Sequence, residues 1–169
     1  MQNLENFKKI NSYSENLILK KDFIFLLSLL IINKTDNCDY FLYQFNISNE
    51  DKKRIIFLKK IFSQSQDKNT FTKKNLQKIF YFYGKLFLED MIDFYLLSIN
   101  NNNKKLIDFK KYFEKLEKPK FPIKTKVIME KYNIKEGKEL GKKLKYLENL
   151  WVENNFKITD KEIDKIFII

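Results

Sequence analysis

Between Leu17 and Phe167 the apolar residues recur every three or four positions, and no stretch alternates strictly for long enough to require a strand. A chain patterned in this way buries its apolar stripes by packing helix on helix. The predicted fold is all-α: a helical body over 1–118 and a small helical tail over 119–169. At 169 residues the chain is long enough for one compact unit, or for two small ones sharing a core.

Leu17 to Asn33 reads as one buried helix, apolar nearly all round after a charged start, and Asp36 to Phe45 as a short aromatic one. Ser48 is placed to cap a helix running to about Gln64. After the polar break 63–70, Thr72 caps a helix to Tyr83, with Phe71 and Leu76 forming a hydrophobic staple and Gly84 relaxing its end. Phe87 to Ile99 is the next helix, Asn100 to Asn103 a loop, and Lys104 to Lys118 an amphipathic helix on Leu106, Phe109, Phe113 and Leu116. Pro119 and Pro122 bracket an extended joint that marks the predicted subdomain boundary. Beyond it come a short helix over Lys126–Tyr132, a long one from about Gly137 to Asn154, and a last one opened by Thr159. That final start carries a T-x-x-E capping box, Thr159 to Glu162, with Ile158 and Ile163 as its staple.

Histidine is absent and Cys38 is the single cysteine. The chain therefore holds no Ser/His/Asp or Cys/His nucleophile pair, no Cys/His zinc site and no internal disulfide. Gly84, Gly137 and Gly141 are the only glycines, so neither a G-x-G-x-x-G turn nor a phosphate-cradling P-loop can be written. No cofactor is expected. The longest apolar run, Phe23 to Ile32, is too short to span a bilayer. Met1 to Asn16 is polar and lacks the apolar stretch of a signal peptide. A soluble, cytoplasmic protein without membrane contact is expected.

The formal net charge is +11, and every cationic side chain but Arg54 is lysine. Such an excess suits a polyanionic partner. The abundance of Lys, Asn, Ile, Phe and Tyr with no Ala is also what an AT-rich genome imposes, so a solvated lysine surface is the competing explanation.

Three segments in order carry a resemblance: Phe121-Pro-Ile-Lys-Thr-Lys-Val-Ile-Met, then Asn133-Ile-Lys-Glu-Gly-Lys-Glu-Leu-Gly-Lys-Lys-Leu, then Leu150-Trp-Val-Glu-Asn-Asn-Phe. Together they resemble the tail of bacterial class II CCA-adding tRNA nucleotidyltransferases and their poly(A) polymerase relatives. In that family a proline-led joint, a short helix, a glycine-spaced turn into a long helix and a terminal W-x-x-x-x-F recur. Upstream, Leu26 to Ile32, Ile47-Ser-Asn-Glu, and Tyr83-Gly followed by Glu89-Asp90 look like the body of the same enzymes. The likeness spans roughly residues 17–167. Thr125-Lys-Val-Ile stands where the family has G-x-D-L.

The resemblance implies helices that hold tRNA while a separate catalytic head adds nucleotides. The head's G-G-x-V-R-D strand and its metal-binding D-x-D pair are not found in this chain. As an isolated chain it is expected to catalyse nothing, with no catalytic residues and no metal. The nearest acidic pairs, Asp36 with Asp39 and Asp90 with Asp93, read as solvated helix faces. Glu50-Asp-Lys-Lys-Arg54 imitates the E-D-x-x-R that reads the incoming base in the family. Its acids are explained by the dipole of a helix N-terminus, and Phe57 and Lys60 stand where further arginines would follow.

What remains is electrostatic. On the long tail helix, Leu140, Leu144, Leu147 and Trp151 face a core, which puts Lys138, Lys142, Lys145 and Asn149 on the other side. Those lysines, with Lys124 just before the preceding helix, Lys126 at its start and the backbone at Gly137 and Gly141, form the candidate RNA-binding set. Gly137 and Gly141 equally suit close approach of a neighbouring helix. Lys74 and Lys78, and Lys111, Lys115 and Lys118, form further stripes that read as solvated faces or phosphate contacts. Trp151 and Phe156 read as core. The expected partner is tRNA, held by its acceptor and T arms through phosphates and shape. The alternative is a non-catalytic helical protein-interaction module or a decaying fragment.

Overall fold

The computed structural model describes residues 12–33, 37–64, 67, 69–99 and 103–168, and within them the chain forms ten helices and no strand. In chain order these are α1 (Ser12–Ile18), α2 (Phe23–Ile31), α3 (Asn37–Gln44), α4 (Asn49–Ser63), α5 (Lys73–Tyr83), α6 (Lys85–Ile99), α7 (Lys104–Glu114), α8 (Thr125–Tyr132), α9 (Lys138–Glu153) and α10 (Asp160–Phe167). The fold is all-α. Among the described residues, no helix is long and apolar enough to cross a membrane.

Caps written in the sequence open several of these helices. The Ser48 hydroxyl accepts the Asp51 N–H at 3.1 Å and opens α4. Thr72 opens α5 by accepting from Asn75, and Asn103 opens α7 by accepting from Leu106. At α10 the Thr159 and Glu162 capping box is complete, each side chain taking the other's backbone N–H. Gly84 ends α5 at φ 92°, a left-handed conformation that a side chain resists, and α6 starts at once rather than at Phe87.

The single helix expected over Leu17–Asn33 is two helices. Asp22 breaks it: its carboxylate accepts the Phe25 N–H at 2.9 Å as the α2 cap, and its second oxygen holds Arg54 Nη1 at 2.6 Å. An aspartate fixed in this way cannot continue the preceding helix. Nor is α2 apolar-buried all round, since Phe23 is 72% exposed. The helix expected to reach Lys118 stops at Glu114. There the Leu116 N–H turns back to the Phe113 carbonyl at 3.2 Å. Asp36 and Asn100–Asn102 lie outside the described residues.

Helix α6 is the axis of the larger apolar cluster, packing against α2, α4, α5 and α7. Phe25, Leu58, Leu76, Met91, Ile92 and Phe113 are among its most deeply buried members. A second cluster, Ile128, Leu140, Leu147, Ile163 and Phe167, joins α8, α9 and α10. Between them Tyr81 of α5 meets Trp151 and Val152 of α9, with Phe121 and Phe156 packed alongside. Trp151 is 3% exposed, with ring centroids of Tyr81 and Phe121 both at 5.4 Å and Phe156 at 5.0 Å.

Candidate nucleic-acid interface

Helix α9 presents two different surfaces along its length. Leu140, Leu147 and Trp151 are buried and Leu144 half-buried, as the spacing predicts. Lys138, Lys142 and Lys145 are exposed and form no ion pair among the described residues. The line Lys138, Lys145, Val152 advances by seven residues and stays on one face, yet Val152 is fully buried. Two turns beyond Lys145 that face runs under α5. Glu148 accepts the Tyr81 hydroxyl at 2.6 Å, and Glu153 takes Lys74 at 3.1 Å and Lys78 at closer range. The cationic side of α9 is therefore confined to its N-terminal half.

The stripe at Lys74 and Lys78, read as a solvated face or phosphate contacts, stays partly exposed and clamps Glu153 of α9. Its two ammonium groups hold that carboxyl below the usual range, chiefly through their hydrogen bonds. Burial, reinforced by the bond to Glu148, pushes the Tyr81 hydroxyl up to about 12. The Lys118 ammonium lies 5.0 Å from the Tyr81 ring. Lys118 thus adjoins Tyr81, Tyr81 adjoins Glu148, and Glu148 is one turn from Lys145.

Lys124 precedes α8, exposed, and makes no side-chain cap there. Val127, in the first turn of α8, is exposed. Lys126 is matched by Glu130 across one turn at 3.9 Å. Gly137 and Gly141 do not serve a close helix approach: a Cβ on either would meet nothing within 4 Å, and both face open space. Gly137 occupies the cap position of α9 and supplies no side-chain bond.

Asp90 and Asp93 are not on a solvated face. Both are fully buried on α6, within an ion network that their spacing does not announce. Arg54 Nε donates to Asp90 at 2.5 Å, and Lys21 reaches Asp90 at 3.2 Å and Asp93 at 2.7 Å. Lys110 from α7 holds both oxygens of Asp93, at 2.8 and 2.7 Å. With Asp22, three carboxylates meet three cations drawn from four parts of the chain. Arg54, 7% exposed, is thus a core residue and unavailable for reading a base. Its Nη2 is buried without a hydrogen-bond partner among the described residues. Burial opposes the charge on Lys21 and on Arg54, but the neighbouring carboxylates win and raise both pKa values. Asp39 is exposed and pairs with Lys59 at 2.5 Å.

Beside this network, burial pushes the Glu89 carboxyl up. Glu114 and Asp93 add to that effect, while Lys110 and Lys21 oppose it. A carboxyl raised on folding favours the folded state while protonated, and that contribution fades as pH rises through the folded pKa. Glu89→Gln is accordingly expected to raise the urea midpoint at neutral pH and to leave it unchanged in acid, where the parent is protonated too. An unchanged or lower midpoint at neutral pH would show that the lysine attractions dominate.

Among the described residues no group of Cys, Asp and Glu side chains is arranged to hold a metal ion. The chemistry on offer at the α9 surface is that of ammonium groups on exposed helical backbone: phosphate binding by charge, without proton transfer or a nucleophile. No family model, curated protein or solved structure matches the chain.

Proposed function

We propose that this chain is a helical RNA-holding protein that grips the phosphates of a folded RNA with the N-terminal half of α9. The observation that carries the reading is the run of Lys138, Lys142 and Lys145, exposed and without an acidic partner among the described residues, on a chain of net charge +11. Lysines of this kind contact phosphate as point charges and recognise shape rather than base edges.

The RNA we infer is tRNA, held by its acceptor and T arms. That choice rests on the resemblance of residues 121–156 to the tail of CCA-adding enzymes, and on that resemblance the chain would position a tRNA 3′ end in a catalytic head carried elsewhere. The test is binding to tRNA followed by fluorescence anisotropy over a range of salt concentrations. Affinity should fall steeply and linearly on logarithmic axes as phosphate contacts release counterions. Salt-insensitive binding, or none, contradicts the reading.

A protein-interaction module is the second reading. It is favoured by the exposed aromatics Phe23, Tyr40, Tyr43 and Phe45 on and beside α2 and α3, a larger apolar exposure than an RNA surface needs.

A further inference from the structure

At the end of α9 the chain reverses in an unusual way. Asn155 and Phe156 both adopt the left-handed region, at φ 55° and 61°. Two successive non-glycine residues in that region are strained, most of all a bulky one such as phenylalanine. The turn is closed by the Phe156 N–H donating to the Trp151 carbonyl at 2.9 Å. It brings the Phe156 ring to 5.0 Å from Trp151 and 6.0 Å from Tyr81.

Next to this turn lies a cleft of about 610 Å³ whose walls include Pro122, Trp151, Asn154, Phe156, Lys157 and Glu162. Three features of it suit a small planar ligand with an anionic tail. Phe156 and Pro122 offer an apolar ring and an apolar edge. Trp151 lines the cleft, and its indole N–H donates to no acceptor among the described residues while staying open to solvent, since Arg54 Nη2 alone is both buried and without a partner there. The Asn154 amide donates to Glu162 at 3.0 Å, and Glu162 also takes the Thr159 N–H and hydroxyl at 2.8 Å each. Asn154 is held in place by that bond, and its carbonyl oxygen is left to accept. One fixed acceptor and one unmatched donor are the groups that the edge of a nucleobase requires, and exposed Lys157 supplies a cation for a phosphate.

We propose that this cleft takes one unstacked nucleotide, its base against Phe156 and bonded to Trp151 and Asn154, its phosphate on Lys157. The proposal rests on the RNA-holding reading but concerns a site distinct from the α9 lysines, so that the two can fail separately. A base splayed from a single-stranded part of the bound RNA would seat here, adding a base-dependent contact to binding otherwise made by charge.

Trp151 is the only tryptophan in the chain, which makes its fluorescence a direct reporter. Uridine 5′-monophosphate and adenosine 5′-monophosphate are titrated into the intact protein, with uridine and inorganic phosphate as separate arms. At least one monophosphate should change the emission saturably, with Kd of about 0.1–1 mM, as a ligand of that size in an open site allows. Inorganic phosphate alone should not. Lys157→Gln, a change at an exposed position, should weaken monophosphate binding severalfold and leave the weaker response to uridine as it was. Phe156→Gly relieves the strained φ and removes the ring, and should abolish the nucleoside response while the helical circular dichroism persists. No saturable change with either monophosphate, or an equal change with inorganic phosphate, overturns the proposal. Salt-dependent tRNA binding alongside such a silent cleft would leave the α9 interface standing. A nucleotide response without tRNA binding would support the cleft and count against the interface alone.

Discussion

Arg54→Met is expected to destabilise the protein by about 3–5 kcal/mol, the usual cost of leaving one member of a buried ion pair without its partner. The change removes the 2.5 Å bond to fully buried Asp90 and the 2.6 Å bond to the α2 cap, Asp22. Lys21 remains beside Asp90, but only at 3.2 Å. Against the roughly 5–15 kcal/mol typical of whole domains, such a loss brings the chain near unfolding. Adding Asp90→Leu to Arg54→Met should recover much of it, because replacing both partners by apolar groups removes the orphaned charge. Urea unfolding followed by far-UV circular dichroism measures both. A double variant less stable than Arg54→Met would show that the network acts through Lys21 and Asp93 more than through this pair. Acid should reach the same element: Asp22 resists burial's upward push and is held below the usual carboxyl range by Arg54 and the Phe25 N–H. Its contribution is present above the unfolded pKa and is lost as pH falls through the lower folded value.

The second large effect is expected at the seam between α5 and α9. Trp151→Ala leaves a cavity facing Tyr81, Phe121 and Phe156, at a cost of about 3–5 kcal/mol. Because those rings come from α5, from the joint after α7 and from the turn after α9, the change should separate the tail helices from the body before either apolar cluster melts. Limited proteolysis should then cut first within 115–124, where the backbone is not helical. Cleavage of Trp151→Ala at the same sites and rate as the parent would contradict this role.

The residues explain why some of this was readable in the sequence and some was not. Ser48, Thr72 and the Thr159 to Glu162 box act on backbone within four residues of themselves, so their order alone reveals them. The apolar stripe of α9 is likewise local, and its buried face is where the spacing puts it. Asp90 and Asp93 are different. Their partners stand 69, 36 and 17 residues away, at Lys21, Arg54 and Lys110, and an i, i+3 pair of acids on a helix looks the same whether it faces water or buried cations. Asp22 is mixed: its cap on the Phe25 N–H is as local as that of Ser48, whereas its bond to Arg54 in α4 is not. The opposite face of α9 was only half legible. Spacing places Lys138, Lys145 and Val152 on one line, and only the packing of α5 decides which part of that line meets solvent. Gly137 and Gly141 were ambiguous because glycine marks a place where a side chain is absent without saying whether a neighbour fills it, and here none does.

Phosphate binding by the exposed lysines of α9 is tested most directly by the salt dependence of tRNA binding in the variant Lys138→Gln, Lys142→Gln, Lys145→Gln. None of the three is buried or paired among the described residues, so the variant should unfold at the parent's urea midpoint. If each lysine contacts a phosphate, the slope of log affinity against log salt should become shallower by about two to three units, because each phosphate left without its lysine keeps its share of counterions. A parent that binds tRNA with steep salt dependence and a folded triple variant with the same affinity and the same slope would contradict phosphate binding at this helix.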